Sequence, residues 1–94
     1  MSADDAVCVK ALVSGRVQGV GYRWSTEQRA LAAGLTGHAF NLPDGRVEVL
    51  LCGAPRAVAD VVQWLHQGPE HANVSDVVVR DLVPPTWPQA FRTG

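Results

Sequence analysis

The chain has 94 residues, 47% of them apolar and 18% charged, with a formal net charge of −1. That is room for one small domain with a single core, and the composition excludes a disordered chain. The near-neutral charge removes the general electrostatic case for nucleic acid or an anionic membrane surface as partner, so any positive field must be local.

No apolar run reaches the length of a membrane span. Residues 1–5 carry two acids and no basic stretch, unlike a secretory signal. A cytoplasmic protein is the expectation. Residues 6–13 are valine-rich and partly alternating, which predicts a strand. Residues 13–23 then hold three glycines, Gly15, Gly19 and Gly21, before a run of good helix formers to residue 33. Gly34 suits the position just past that helix. Residues 35–42 predict a weaker second strand, interrupted by Gly37 and His38. Leu42-Pro43-Asp44-Gly45 predicts a tight reversal, and residues 46–51 alternate as a third strand paired back in a hairpin.

Pro55 opens a second helix, where Val58, Val61, Val62 and Leu65 recur at helical spacing. Gly68-Pro69 ends it. Residues 74–83 predict a fourth strand. Pro84, Pro85 and Pro88 make an extended link, and residues 91–93 predict a short edge strand. Cys8 and Cys52 each fall inside a strand. They read best as two reduced, buried small hydrophobes, with a disulfide between neighbouring strands left open. The order β-α-β-β-α-β, with a short fifth strand, predicts one α+β domain over residues 1–94. Its simplest form is a ferredoxin-like split-βαβ sandwich, an antiparallel sheet with two helices on one face.

Such a sandwich carries many activities, so function has to come from side chains. A glycine-rich turn leading into a helix N-terminus leaves main-chain N–H groups free to hold an anion. Residues 15–21 lack the ending of a nucleotide phosphate loop and the spacing of a dinucleotide fingerprint. Arg23 adds a guanidinium suited to two phosphoryl oxygens at once. Asn41 ends the second strand, which pairs with the third. That topology lets it approach the glycine loop, where its amide can both donate to and accept from a water. On their own, the glycines read as a turn and Asn41 as a turn former.

Together, Gly15-Arg16-Val17-Gln18-Gly19-Val20-Gly21-Tyr22-Arg23 and the stretch from Gly37 through Asn41 to Gly45, Val47 and Gly53 resemble the two signatures of the acylphosphatase family. The resemblance extends through Gly53-Ala54-Pro55, Gln63-Trp64-Leu65 and Phe91. It departs at His38, where the family has a large aromatic, at Phe40, where a basic or polar residue is common, and at Tyr22, where phenylalanine is commoner. The first two departures are expected to alter the surroundings of Asn41. The short last strand is expected to leave the sheet edge less well covered.

The resemblance implies hydrolysis of a small acyl phosphate to a carboxylate and inorganic phosphate; no metal is expected, because no carboxylate or histidine cluster is visible at the loop, and no cofactor. It assigns phosphate binding to Arg16, Val17, Gln18, Gly19, Val20, Gly21 and Arg23, and catalysis to Arg23 and Asn41, with Asn41 orienting a water in line with the leaving group. The negative net charge and the lack of paired exposed aromatics on the strands argue against a nucleic-acid partner, the short apolar runs argue against a membrane, and a monomer is the default. The runner-up is a non-catalytic module that senses an anion through the same loop. The remaining polar residues attract simpler readings. Ser14, Ser25 and Thr26 read as helix caps, His38 as surface packing opposite Asn41, and His66 and His71 as solvated groups. Trp64 and Trp87 read as packing. Trp24 is either packing or a partly exposed neighbour of the site.

Overall fold

Alternating valines build the sheet, and the helices lie over the apolar side of that alternation. The computed structural model describes residues 6–94, so the reading of residues 1–5 falls outside it. The elements run β1 (Val7–Arg16), α1 (Tyr22–Ala32), β2 (Thr36–Asn41), β3 (Val47–Gly53), α2 (Pro55–Leu65), β4 (Asn73–Leu82) and β5 (Phe91–Thr93). The sheet order is β4-β1-β3-β2-β5. Both helices cover the face carrying Val9, Ala11, Val13, Val47, Val49 and Leu51, all buried. Val58, Val61 and Leu65 are the buried stripe of α2, as their spacing predicts.

One pairing differs from the expected antiparallel sheet: β5 runs parallel to β2, through Gly37↔Phe91 and Ala39↔Thr93. The extended link from Pro84 to Ala90 carries the chain back across the molecule, so the last strand enters in the direction of β2. It is short, as expected, and pairs only with Gly37 to Ala39 of β2, with Phe91 buried against the core. A second difference is the end of β1. The strand continues through Arg16, because a bulge between Ser14 and Gly15 lets it keep pairing with β4 as far as Asn73. At Gly15 an added Cβ would collide with the Asn73 carbonyl oxygen, so only glycine allows this approach.

The third correction concerns the cysteines. Cys8 stands directly opposite Cys52 in the β1–β3 register, and the two form a disulfide with their Cα atoms 4.1 Å apart. The preferred reading of two reduced thiols is therefore wrong for this structure. The alternation that buries each cysteine was legible in sequence; the register that makes them partners was not. The disulfide lies with Leu50 on the sheet face opposite the helices.

Candidate active site

The β1–α1 junction folds as a loop because its residues divide two tasks. Val17 sends its side chain into the core, 1% exposed, so only its main chain is available at the surface. Gln18 donates through Nε2 to Leu42 O at 2.9 Å and Arg46 O at 3.0 Å. Its amide thus ties the loop to the β2–β3 turn. Gly19 and Gly21 take φ of 76° and 79°, the left-handed region that glycine occupies without strain. Val20 packs on the edge of the core, and Arg16 is exposed at the end of β1.

Helix α1 then starts without a side-chain cap. Its first main-chain bond is Ser25 N to Gly21 O, 2.9 Å. Among the described residues, no carbonyl or side chain takes the N–H groups from Val17 to Arg23. The expected capping by Ser25 or Thr26 does not occur; the Thr26 hydroxyl donates to Tyr22 O, 2.8 Å away, inside its own helix. A row of free N–H groups at the positive end of a helix is an anion site in waiting.

Arg23 and Asn41 meet through a residue that sequence reasoning overlooked. Arg23 Nη1 donates to the main-chain oxygen of Gly94 at 2.5 Å, and the same oxygen accepts the Asn41 N–H at 3.2 Å. Gly94 N donates in turn to Ala39 O, 3.3 Å away. The segment after β5 therefore aims the guanidinium toward the end of β2. One bond to Gly94 leaves Arg23 further donors for a phosphoryl group. Only the non-local β2–β5 pairing brings Gly94 here, and no local motif announces it.

Asn41 is exposed and shares the helix-facing side of β2 with the buried Ala39. His38 and Phe40 point to the other face, as alternation requires. Their rings stack at 4.1 Å, His38 Nε2 lies 2.8 Å from Glu48 Oε2, and Lys10 Nζ is 3.7 Å from Glu48 Oε1. The two departures therefore do not adjoin the Asn41 amide. Phe40 acts at one remove, since its ring lies against Gly94.

The Tyr22 hydroxyl, the third departure, donates to Leu65 O at 2.7 Å. It satisfies a carbonyl at the end of α2 and fastens the start of α1 to it. Burial pushes the pKa of that hydroxyl far up, so it stays neutral. Trp64 packs as predicted, its ring 5.8 Å from that of Tyr22. Trp87 is more exposed than a packing residue, at 42%. Among the described residues, no three His, Cys, Asp or Glu side chains cluster to hold a metal ion.

The chain is similar to known proteins over nearly its whole length. The acylphosphatase family model matches residues 9–93. An acylphosphatase of Chromohalobacter salexigens is 55% identical over 87 residues, covering 93% of this chain and 96% of that protein. The solved acylphosphatase of Coxiella burnetii superimposes with a TM-score of 0.91 at 34% identity, over 100% of both chains. That of Bacillus subtilis gives 0.89 at 31% identity, covering 94% of this chain and 98% of its own.

Proposed function

The chain belongs to the acylphosphatase family, and on that premise we propose how its own residues carry the reaction. The protein hydrolyses acyl phosphates. The N–H groups of Val17 through Gly21 hold the phosphoryl oxygens, with Arg16 exposed at the entry to the loop, and Arg23 binds two of them. Asn41 orients a water on the side of phosphorus away from the acyl group. Water oxygen bonds to phosphorus, the bond to the acyl oxygen breaks, and its electron pair leaves as a carboxylate. The water's protons stay with inorganic phosphate or pass to solvent. A carboxylate is a weakly basic leaving group, so positioning and charge stabilisation carry most of the work.

The observation that supports this reading best is the shared Gly94 oxygen, which couples the anion-binding arginine to the strand end bearing the water-holding amide. Among the described residues, none beside the loop supplies an activated nucleophile, which favours direct attack by water over a covalent intermediate. The proposal includes metal independence, a single domain over residues 1–94, a monomer, and a cytoplasmic setting. A reducing cytoplasm requires Cys8 and Cys52 to be open thiols there, whereas the structure joins them as a disulfide. Counting thiols in acid-quenched cell extract tests that point.

Benzoyl phosphate hydrolysis with and without EDTA, beside a simple phosphate monoester, tests the reaction. The expected result is turnover of the anhydride alone, unchanged by chelator. Loss of turnover with EDTA overturns metal independence. Binding of phosphate without any turnover makes the protein a sensor.

A further inference from the structure

An exposed tryptophan beside the phosphate loop has no part in the steps above. Trp24 follows Arg23 on the first turn of α1 and is 65% exposed, although tryptophan is usually largely buried. It lines a groove of about 980 Å³ between α1 and the segment joining α2 to β4. Gln28 and Arg29 continue the α1 wall; Trp64, Pro69 and Ala72 supply apolar surface opposite. The Arg29 guanidinium lies 5.1 Å from the centre of the Trp64 ring, so that side chain is part of the wall.

The groove opens at the same end of the sandwich as the loop. Ala72 leads directly into Asn73, which pairs with Arg16, and Gly68 abuts the Tyr22 ring. The sheet order fixes its side. Asn41 ends β2, two strands from β1 and so about 10 Å away across the sheet. On the other flank of β1 lies β4, whose first residue, Asn73, directly follows the groove residue Ala72. An in-line displacement with water arriving from the β2 side sends the leaving group away from β2.

We propose that the groove beside Trp24 receives the acyl end of the substrate, and that Trp24 selects acyl phosphates whose acyl group is aromatic or a branched hydrocarbon larger than acetyl. This rests on the hydrolytic reading above and deepens it by naming the substrate class. An aromatic acyl group lies flat on the indole and displaces water from it. Acetyl is too short to leave the phosphate loop and gains nothing there.

The test compares kcat/KM for benzoyl phosphate and acetyl phosphate in the wild type, Trp24→Ala and Trp24→Phe. Trp24→Ala is expected to lose about 10-fold on benzoyl phosphate and less than about 2-fold on acetyl phosphate. Trp24→Phe should recover most of the loss, and inhibition by inorganic phosphate should stay unchanged throughout. Equal losses on both substrates, or no loss on either, overturn the groove assignment while hydrolysis stands. A wild type that turns over neither substrate overturns the hydrolytic reading, and the groove assignment with it.

Discussion

Between β1 and α1 the chain uses five residues, Val17 to Gly21; between β3 and α2 it uses one, Ala54. Each junction turns a strand into a helix that crosses back over the same sheet face. The β3–α2 junction is closed. Pro55 removes a donor at the first turn, Val58 N bonds to Ala54 O at 2.9 Å, and the Leu35 side chain fills the space beside Gly53. The β1–α1 junction is open: like α2 its helix lacks a side-chain cap and starts from one main-chain bond, but it has no proline, and a Cβ added at Gly19 or Gly21 would meet no described atom within 4 Å. A fold satisfied with stability alone would build both junctions like the second. The first leaves its donors unmet, and in the proposed reaction the phosphoryl group meets them.

The contrast breaks most directly at the arginines of the two first turns. Arg23→Gln is expected to lower kcat/KM for benzoyl phosphate by about 10³-fold, the range for losing a charged transition-state donor. Inhibition by inorganic phosphate should weaken with it. Arg56→Gln, on the first turn of α2, should change neither value. Matching losses in the two variants would mean that net charge, not the open junction, governs binding. Next in size is Asn41→Ala, expected to lower kcat by about 10²-fold with phosphate inhibition retained, because positioning of the water is lost and the cradle is not. Full activity in that variant removes Asn41 from the mechanism.

The open junction was legible in sequence because its chemistry is local: three glycines, an arginine and a helix start lie within one short segment. The helices and strands were legible for the same reason, from periodicity. The place of Asn41, at the end of β2 two strands from β1, was harder, since it depends on strand order, which the β-α-β-β-α-β pattern restricts to few choices. Gly94, the parallel β5, the Cys8–Cys52 pair and the double grip of Gln18 were not legible. Each depends on register between segments distant in sequence, and a main-chain acceptor such as Gly94 O leaves no trace in residue type.

Two glycines sharpen the contrast with smaller effects. Gly53 has φ of 153°, and an added Cβ would meet the Leu35 side chain. Gly53→Ala is expected to cost about 2–3 kcal/mol in urea unfolding, through backbone strain and overpacking, with kcat/KM kept. Gly19, at φ of 76° with no neighbour within 4 Å, should cost only about 1–2 kcal/mol as alanine. That strain falls on a loop whose N–H directions matter, so Gly19→Ala should also weaken phosphate inhibition. A Gly19→Ala variant as active as the wild type would mean that the loop tolerates redirection of its donors.

The smallest effect concerns what steadies the open loop. Gln18 grips Leu42 O and Arg46 O, so it depends on the turn between β2 and β3. Asp44 organises that turn: its carboxylate accepts the Arg46 N–H at 3.1 Å and Arg46 Nε at 2.8 Å. The main-chain N–H first, and then the Arg46 side chain, hold the Asp44 carboxyl below its ordinary value of 3.8. A depressed carboxylate contributes stability that is present above its unfolded pKa and lost as pH falls through the folded one. The loss therefore belongs below about pH 4, and exposure to solvent keeps it slight. In urea unfolding between pH 6 and pH 3, Asp44→Asn should lose a little less stability than the wild type. At neutral pH it should retain turnover, because asparagine still offers an oxygen to Arg46 N and the turn still presents its carbonyls to Gln18. A large loss of phosphate inhibition in Asp44→Asn at neutral pH would show that the charge, rather than the turn, supports the open junction.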